Sequence, residues 1–359
     1  MMTHALESHA HKRISEIGIL SHRYFQEVFN LSLSMLQNIQ PGRVLALVGP
    51  SRAGKSQLLK MLINALLAGI RPHRDDDVPI LRLEADLGNQ QRMSLKELTA
   101  EALQELRHPV FTDFANLLDG HPQTVARLPE HTLRPMFIKA LQARGTIYLI
   151  VDEAHHLLMT ARHKLQSDIL DALKNICNKA DVVLVLIGGY ALLKGLFHSA
   201  HFNGRLELLH FPPYTESDED MTEYASLLHA FERALTLSEP NMLVSHAAEI
   251  RKIYWGTFGA TIDGIREAES RRIARKADAL EMRDILATRL PAPAMRVVDA
   301  DIQFGLDFFK VYADDAQASA LRHDVHTPEK TTDKATASSR SKPFKKNPVR
   351  RAAAKMDIK

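Results

Sequence analysis

The run Gly49-Pro50-Ser51-Arg52-Ala53-Gly54-Lys55-Ser56 restricts the folds open to this chain more than any other stretch. It fits GxxxxGK[ST], and it stands directly after an apolar run (44–48) and directly before helical sequence that starts at Lys55. Glycines at both ends let the backbone fold back with its N–H groups turned inward. The helix start that follows adds further N–H groups and the positive end of its dipole, so the loop is shaped for an anion. Lys55 would neutralise β and γ phosphate oxygens, and the Ser56 hydroxyl would ligate a magnesium ion. The positions expected to contact nucleotide are Gly49, Pro50, Ser51, Arg52, Ala53, Gly54, Lys55, Ser56 and Gln57, with ATP and Mg2+ as the implied ligand and cofactor.

Strand, loop and helix in this order demand an α/β layered fold, and the rest of the first two hundred residues agrees. Short apolar runs at 44–48, 79–83, 147–151, 182–187 and 206–211 alternate with helical sequence. Continuous apolar runs, rather than alternating ones, belong to strands covered on both faces. About five strands, mostly parallel and flanked by helices, are therefore expected. The strand at 146–151 ends in Asp152 and Glu153, about a hundred residues after the loop. Asp152 would hold the magnesium through its shell, and Glu153 would orient and polarise an attacking water. His155 and His156 follow, but adjacent residues on a helix do not face one way and no cysteine or carboxylate completes a ligand set. They are expected to serve packing or the helix start.

Four regions are expected: a helical leader over 1–40 that packs on the core, an α/β nucleotide-binding domain over 41–213, a helical lid with C-terminal helices over 214–312, and a disordered basic tail over 313–359. Pro212 and Pro213 mark the change from sheet to lid. The formal charge of +3 conceals an asymmetry: residues 327–359 hold ten Lys or Arg against three Asp or Glu, which leaves 36 and 40 elsewhere, a net −4. The tail, rich in Thr, Ser, Ala and Pro, buries too little to offset its ordering entropy. Its Lys342, Lys345, Lys346, Arg350 and Arg351 are either a solvated charge run or phosphate contacts.

With 45% apolar and 25% charged residues the chain has ordinary globular composition, and its apolar runs are far shorter than the roughly 18 residues of a membrane span. No basic start with an apolar core behind it marks a secretory signal, so a cytoplasmic protein without a membrane partner is expected. The single cysteine, Cys177, falls on the apolar side of a helix, as a reduced core thiol would.

These residues together resemble the TniB/TnsC family of AAA+ ATPases, which regulate DNA transposition. The resemblance runs over about residues 10–280 and rests on the Gly49–Ser56 loop and the block Val151-Asp152-Glu153-Ala154-His155-His156-Leu157-Leu158. It is supported by Leu184-Val185-Leu186-Ile187-Gly188-Gly189, by Arg205 ahead of 206–213, and by Phe231-Glu232-Arg233-Ala234-Leu235. It implies an ATP-dependent oligomer on target DNA, in head-to-tail rings or filaments, that recruits or activates a transposase. Its partners would be duplex DNA read without sequence preference, further copies of itself, the transposase and a target-selection protein, and hydrolysis would drive disassembly.

The resemblance also assigns roles. Arg205 matches an arginine finger that reaches a neighbour's γ-phosphate, or else it caps a strand. Gly188 and Gly189 stand where such proteins usually carry a polar sensor residue, which suits a slow ATPase used as a switch. Ile262 takes the place expected of a second sensor arginine, and Arg266 comes late. Near the loop that would face DNA the basic residues are Arg92 and Lys96, either phosphate contacts or a solvated helix face. A helicase loader or replication ATPase would share every catalytic residue, and an ATP-binding scaffold with little turnover would share the loop.

Overall fold

In the computed structural model, residues 23–85, 94–109, 128–159, 163–197 and 205–324 are described, those at 159, 163–167 and 315–324 by backbone alone. Val44–Val48 (β1) is apolar and buried at every position, as a strand covered on both faces must be. Ile80–Glu84 (β2), Tyr148–Asp152 (β3), Val183–Gly188 (β4) and Leu206–His210 (β5) complete one sheet in the order β2-β3-β4-β1-β5. Every neighbouring pair is parallel, with Val44 opposite Leu184 and Leu206, and Ile80 opposite Tyr148. The sheet expected to be mostly parallel is parallel throughout. β3 and β4 are buried end to end, whereas β2 and β5 are partly exposed, as edge strands are.

The two-residue period of the strands sorts their side chains into two layers. Val44, Ala46 and Val48 join Leu81, Leu83, Leu149, Val151, Leu184 and Leu186 on one face. The helices Leu95–Glu105 (α3), Glu130–Ala143 (α4), His163–Ala180 (α6) and Ala191–Leu196 (α7) cover that face, with the short turn His156–Met159 (α5) between them. Leu45, Leu47, Ile150, Val185 and Ile187 point the other way. There Arg23–Asn38 (α1) contributes Phe25, Val28 and Leu36, and Lys55–Gly69 (α2) contributes Leu58, Leu59, Leu62 and Leu66. Local chemistry sets the helix starts. At α3, Ser94 Oγ accepts the Glu97 N–H at 3.2 Å while Glu97 Oε2 accepts the Ser94 N–H at 2.7 Å, a reciprocal cap.

Beyond Phe211 a second core gathers Tyr224, Leu228 and Phe231 of Asp218–Glu232 (α8) with Met242–Ser245 (α9) and Ala247–Ile253 (α10). Phe258, Ile265 and Ala268 of Phe258–Ala274 (α11) and Ile285 of Met282–Leu286 (α12) close it. α1 is tied to this helical region by Tyr24 Oη, which donates to Asp220 Oδ1 at 2.6 Å. The last helix, Ala292–Asp324 (α13), continues past residue 313, where a tail was expected to begin. Ile302, Phe304, Leu306, Phe308 and Phe309 of α13 pack onto the core that holds α7. Residues 312–359 form a second unit, described only for the end of this helix.

Candidate nucleotide site

At the end of β1 the chain meets Phe211, and Gly49 is the residue that permits the contact. A Cβ at position 49 would lie 2.4 Å from the Phe211 carbonyl oxygen. The loop then turns through Arg52 (φ +60°) and Gly54 (φ +106°), the latter a conformation that L side chains rarely adopt. Gly54 precedes the first residue of α2 and offers no side-chain cap; its carbonyl oxygen accepts the Gln57 N–H at 3.1 Å, and the N–H groups of Lys55 and Ser56 at the helix start are placed for an anion. Lys55 is 6% exposed, and its Nζ donates to the carbonyl oxygens of Pro50 at 2.7 Å and Gly49 at 3.1 Å. Burial pushes the Lys55 ammonium down from its ordinary value, while the carboxylates of Glu153, Asp152 and Asp301 act in the opposite direction. Ala53 is buried, Gln57 half-buried, and Ser51, Arg52 and Ser56 exposed.

β3 brings its terminal carboxylates to the same end of the sheet. Asp152 is 2% exposed: its Oδ1 accepts the Glu153 N–H at 3.0 Å, and its Oδ2 lies 2.8 Å from Arg82 Nη2 on β2. A hydroxyl at Ser56 and a carboxylate at Asp152 are oxygen donors of the kind magnesium takes. Arg82 already holds one oxygen of Asp152, which fits a hold on the ion through its water shell. Glu153 sits at φ +50°, the left-handed region, and its Oε2 lies 3.2 Å from His155 Nδ1. Burial, then the neighbouring His156 and Lys55, press the His155 imidazole down to about 4, so it is neutral near pH 7. The Gly189 N–H points at the same Nδ1 from 3.4 Å, and one nitrogen cannot donate to Glu153 and accept from Gly189 at once. The two imidazoles do come together, with centroids 4.2 Å apart, because residues 153–155 form a turn rather than a helix. His156 Nδ1 is 2.7 Å from the Ala85 carbonyl oxygen.

The helical C-terminal region reaches the loop directly. A Cβ at Gly259, in the first turn of α11, would lie 2.3 Å from the Arg52 carbonyl oxygen, and Arg52 Nη1 is 3.9 Å from Asp263 Oδ2. Arg266 pairs with the same Asp263 at 3.8 Å. Arg205 stands at the opposite end of the sheet, exposed ahead of β5, where its carbonyl oxygen accepts the Val44 N–H at 2.9 Å. Its guanidinium lies within hydrogen-bond distance of the Asn178 amide. Within one chain Arg205 and Lys55 are thus at opposite strand ends. Lys96 is half-buried in the first turn of α3; Arg92 and the basic residues of the tail lie outside the described residues.

Three participants escape a reading of the sequence: Arg82, Asp301 and the contact of His155 with Glu153. A charged residue inside the apolar run 80–83 was a usable signal for Arg82. Nothing local points to Asp301, which burial pushes up while Lys194 and Lys55 hold it down.

Residues 38–196 match the AAA domain family. Together with the loop and the β2-β3-β4-β1-β5 order, that match defines a P-loop AAA+ fold followed by a helical C-terminal region. Among solved structures, the Aeropyrum pernix ORC2 protein in its ADP form aligns at 14% identity and a TM-score of 0.47, over 73% of this chain and 66% of that one. Drosophila ORC bound to DNA aligns at 14% identity and a TM-score of 0.46, over 80% and 67%. The Thermotoga maritima RuvB Holliday junction branch migration motor aligns at 16% identity and a TM-score of 0.38, over 75% and 68%. The chain thus spans about two thirds of the length of these structures. No curated protein matches the sequence. Among the described residues no helix is long and apolar enough to cross a membrane.

Proposed function

We propose that this chain is an ATP-switched regulator of DNA transposition, which assembles head to tail on duplex DNA when it holds ATP and comes apart when it hydrolyses it. The observation that carries the nucleotide part is the buried Lys55 ammonium, enclosed by its own loop and acted on by the carboxylates of Asp152 and Glu153. The loop N–H groups and the first turn of α2 hold phosphates, and Lys55 neutralises their β and γ oxygens. Ser56 and Asp152 would hold a magnesium ion, which would neutralise charge on the phosphates. Glu153 orients a water and takes its proton. Arg205 supplies the cation from a neighbouring copy, since no movement within one chain brings it across the sheet. The transposition part rests on the sequence resemblance through 151–158 and the blocks after it.

The test images and sediments the purified protein with duplex DNA and ATP, a non-hydrolysable analogue, ADP or no nucleotide. Rings or filaments that coat DNA only with a triphosphate are expected, absent in Lys55→Ala and persistent with ATP in Glu153→Gln. A protein that binds ATP and ignores DNA under every condition overturns the proposal in favour of a scaffold for protein partners.

A further inference from the structure

Glycine occupies both positions where β4 ends, and the space beside it is filled from the next strand. A Cβ at Gly188 would come 3.2 Å from the His155 backbone nitrogen and 3.3 Å from His155 Nδ1; one at Gly189 would rest 3.9 Å from the ring. The ring is fixed from three strand ends. Gly189 N–H approaches it from β4, the turn after β3 carries it, and His156, bonded to Ala85 beyond β2, packs against it. Its Nδ1 lies 3.2 Å from Glu153 Oε2, close enough to donate to that carboxylate when the ring proton sits on Nδ1. Glu153 has a left-handed backbone and a half-buried side chain, so without such a contact its carboxylate would be free to swing into solvent.

We propose that His155 is a positioning residue that holds the Glu153 carboxylate at the C-terminal ends of β3 and β4, in the space left by the absent side chains of Gly188 and Gly189. The inference deepens the hydrolytic reading of Glu153 and rests on it. With its proton on Nδ1 the imidazole donates to Glu153; with Nδ1 bare it accepts from Gly189 and releases the carboxylate. The same ring can therefore hold or free Glu153 without leaving its pocket.

Two variants separate chemistry from packing. His155→Leu keeps the bulk and removes the donor, while His155→Asn keeps an amide near the place of Nδ1. The expected result is a kcat for ATP lowered about tenfold or more in His155→Leu, with KM and nucleotide affinity within about twofold of wild type. His155→Asn should recover most of the rate. Equal rates in wild type and His155→Leu overturn the proposal, as does an equal loss in both variants. A second readout needs no nucleotide: the ring nitrogen resonances of His155 should shift between wild type and Glu153→Gln, and unchanged resonances overturn the contact. Should wild type turn over no faster than Glu153→Gln, the hydrolytic reading itself falls, and the ring resonances alone then decide whether His155 holds Glu153.

Discussion

A carboxylate buried as deeply as Asp152 has to be matched by a positive group or by donors, and here Arg82 and the Glu153 N–H do both. The pairing makes β2 part of the site, since Arg82 stands two register pairs before Glu84 and Asp152, on the same face of the sheet. Removing the guanidinium leaves Asp152 Oδ2 without its charged partner, at a cost of about 1–3 kcal/mol. Arg82→Ala is therefore expected to lower the midpoint of thermal unfolding, and magnesium, by supplying positive charge near Asp152, should restore part of it in the presence of nucleotide. A variant as stable as wild type without magnesium would show that the pair contributes nothing. Lys55→Ala should weaken nucleotide binding about ten- to a hundredfold, the worth of one or two charge-assisted hydrogen bonds, as read by titration with a fluorescent nucleotide.

At the scale of elements, β5 and α13 meet through a histidine that must stay neutral. His210 Nε2 lies 2.9 Å from Tyr190 Oη, and its ring stacks on Phe309 of α13 at 3.9 Å and 7°. α13 can approach so closely because residue 305 is glycine: a Cβ there would stand 2.3 Å from the Tyr190 ring. Burial pushes His210 down to about 4 from its ordinary 6.5. The folded state thus binds this proton less readily than the unfolded chain. Its contribution, up to about 3 kcal/mol, is complete above pH 6.5 and is lost as the pH falls through 4. His210→Gln should flatten the fall of stability between pH 7 and 4.5 in denaturant titrations; parallel curves for the two proteins would refute the assignment. None of this is legible in the sequence, because His210 and Phe309 are far apart along the chain. What is legible follows from local rules: five continuous apolar runs gave strands to within a residue or so of their ends, and Gly49 and Gly54 gave the loop. α4 escaped because Pro135 interrupts its pattern, and α13 was read short because its apolar residues thin out after Phe309. At the site, a one-strand motif announced Asp152 and Glu153, whereas Arg82 and Asp301 join them only through pairing and packing.

At the scale of the whole molecule, the position of Arg205 has a consequence that no single-chain experiment reaches. The loop leaves the C-terminal end of β1, and Arg205 precedes the N-terminal end of β5, its neighbour in the sheet. If Arg205 acts, it acts on another copy, and a surface that joins one end of the sheet to the opposite end of the next builds head to tail. Arg205→Ala should then bind ATP like wild type and hydrolyse it about a thousandfold or more slowly, the range known for arginine fingers. Lys55→Ala should be inactive for the opposite reason, with its own loop damaged and its Arg205 intact. Mixed in equal amounts, the two inactive proteins should recover activity, because the intact loop of the Arg205→Ala protein meets the intact arginine of the Lys55→Ala protein. Random pairing gives about one such interface in four, which sets the ceiling of the recovery in steady-state ATPase assays. The Lys55→Ala copies should also end growing assemblies, since each can cap an occupied neighbour yet cannot present an occupied loop of its own. Activity without long assemblies is therefore the expected signature of the mixture. A mixture no more active than its components would return Arg205 to the smaller task its present neighbours suggest, bracing Asn178 beside the start of β1.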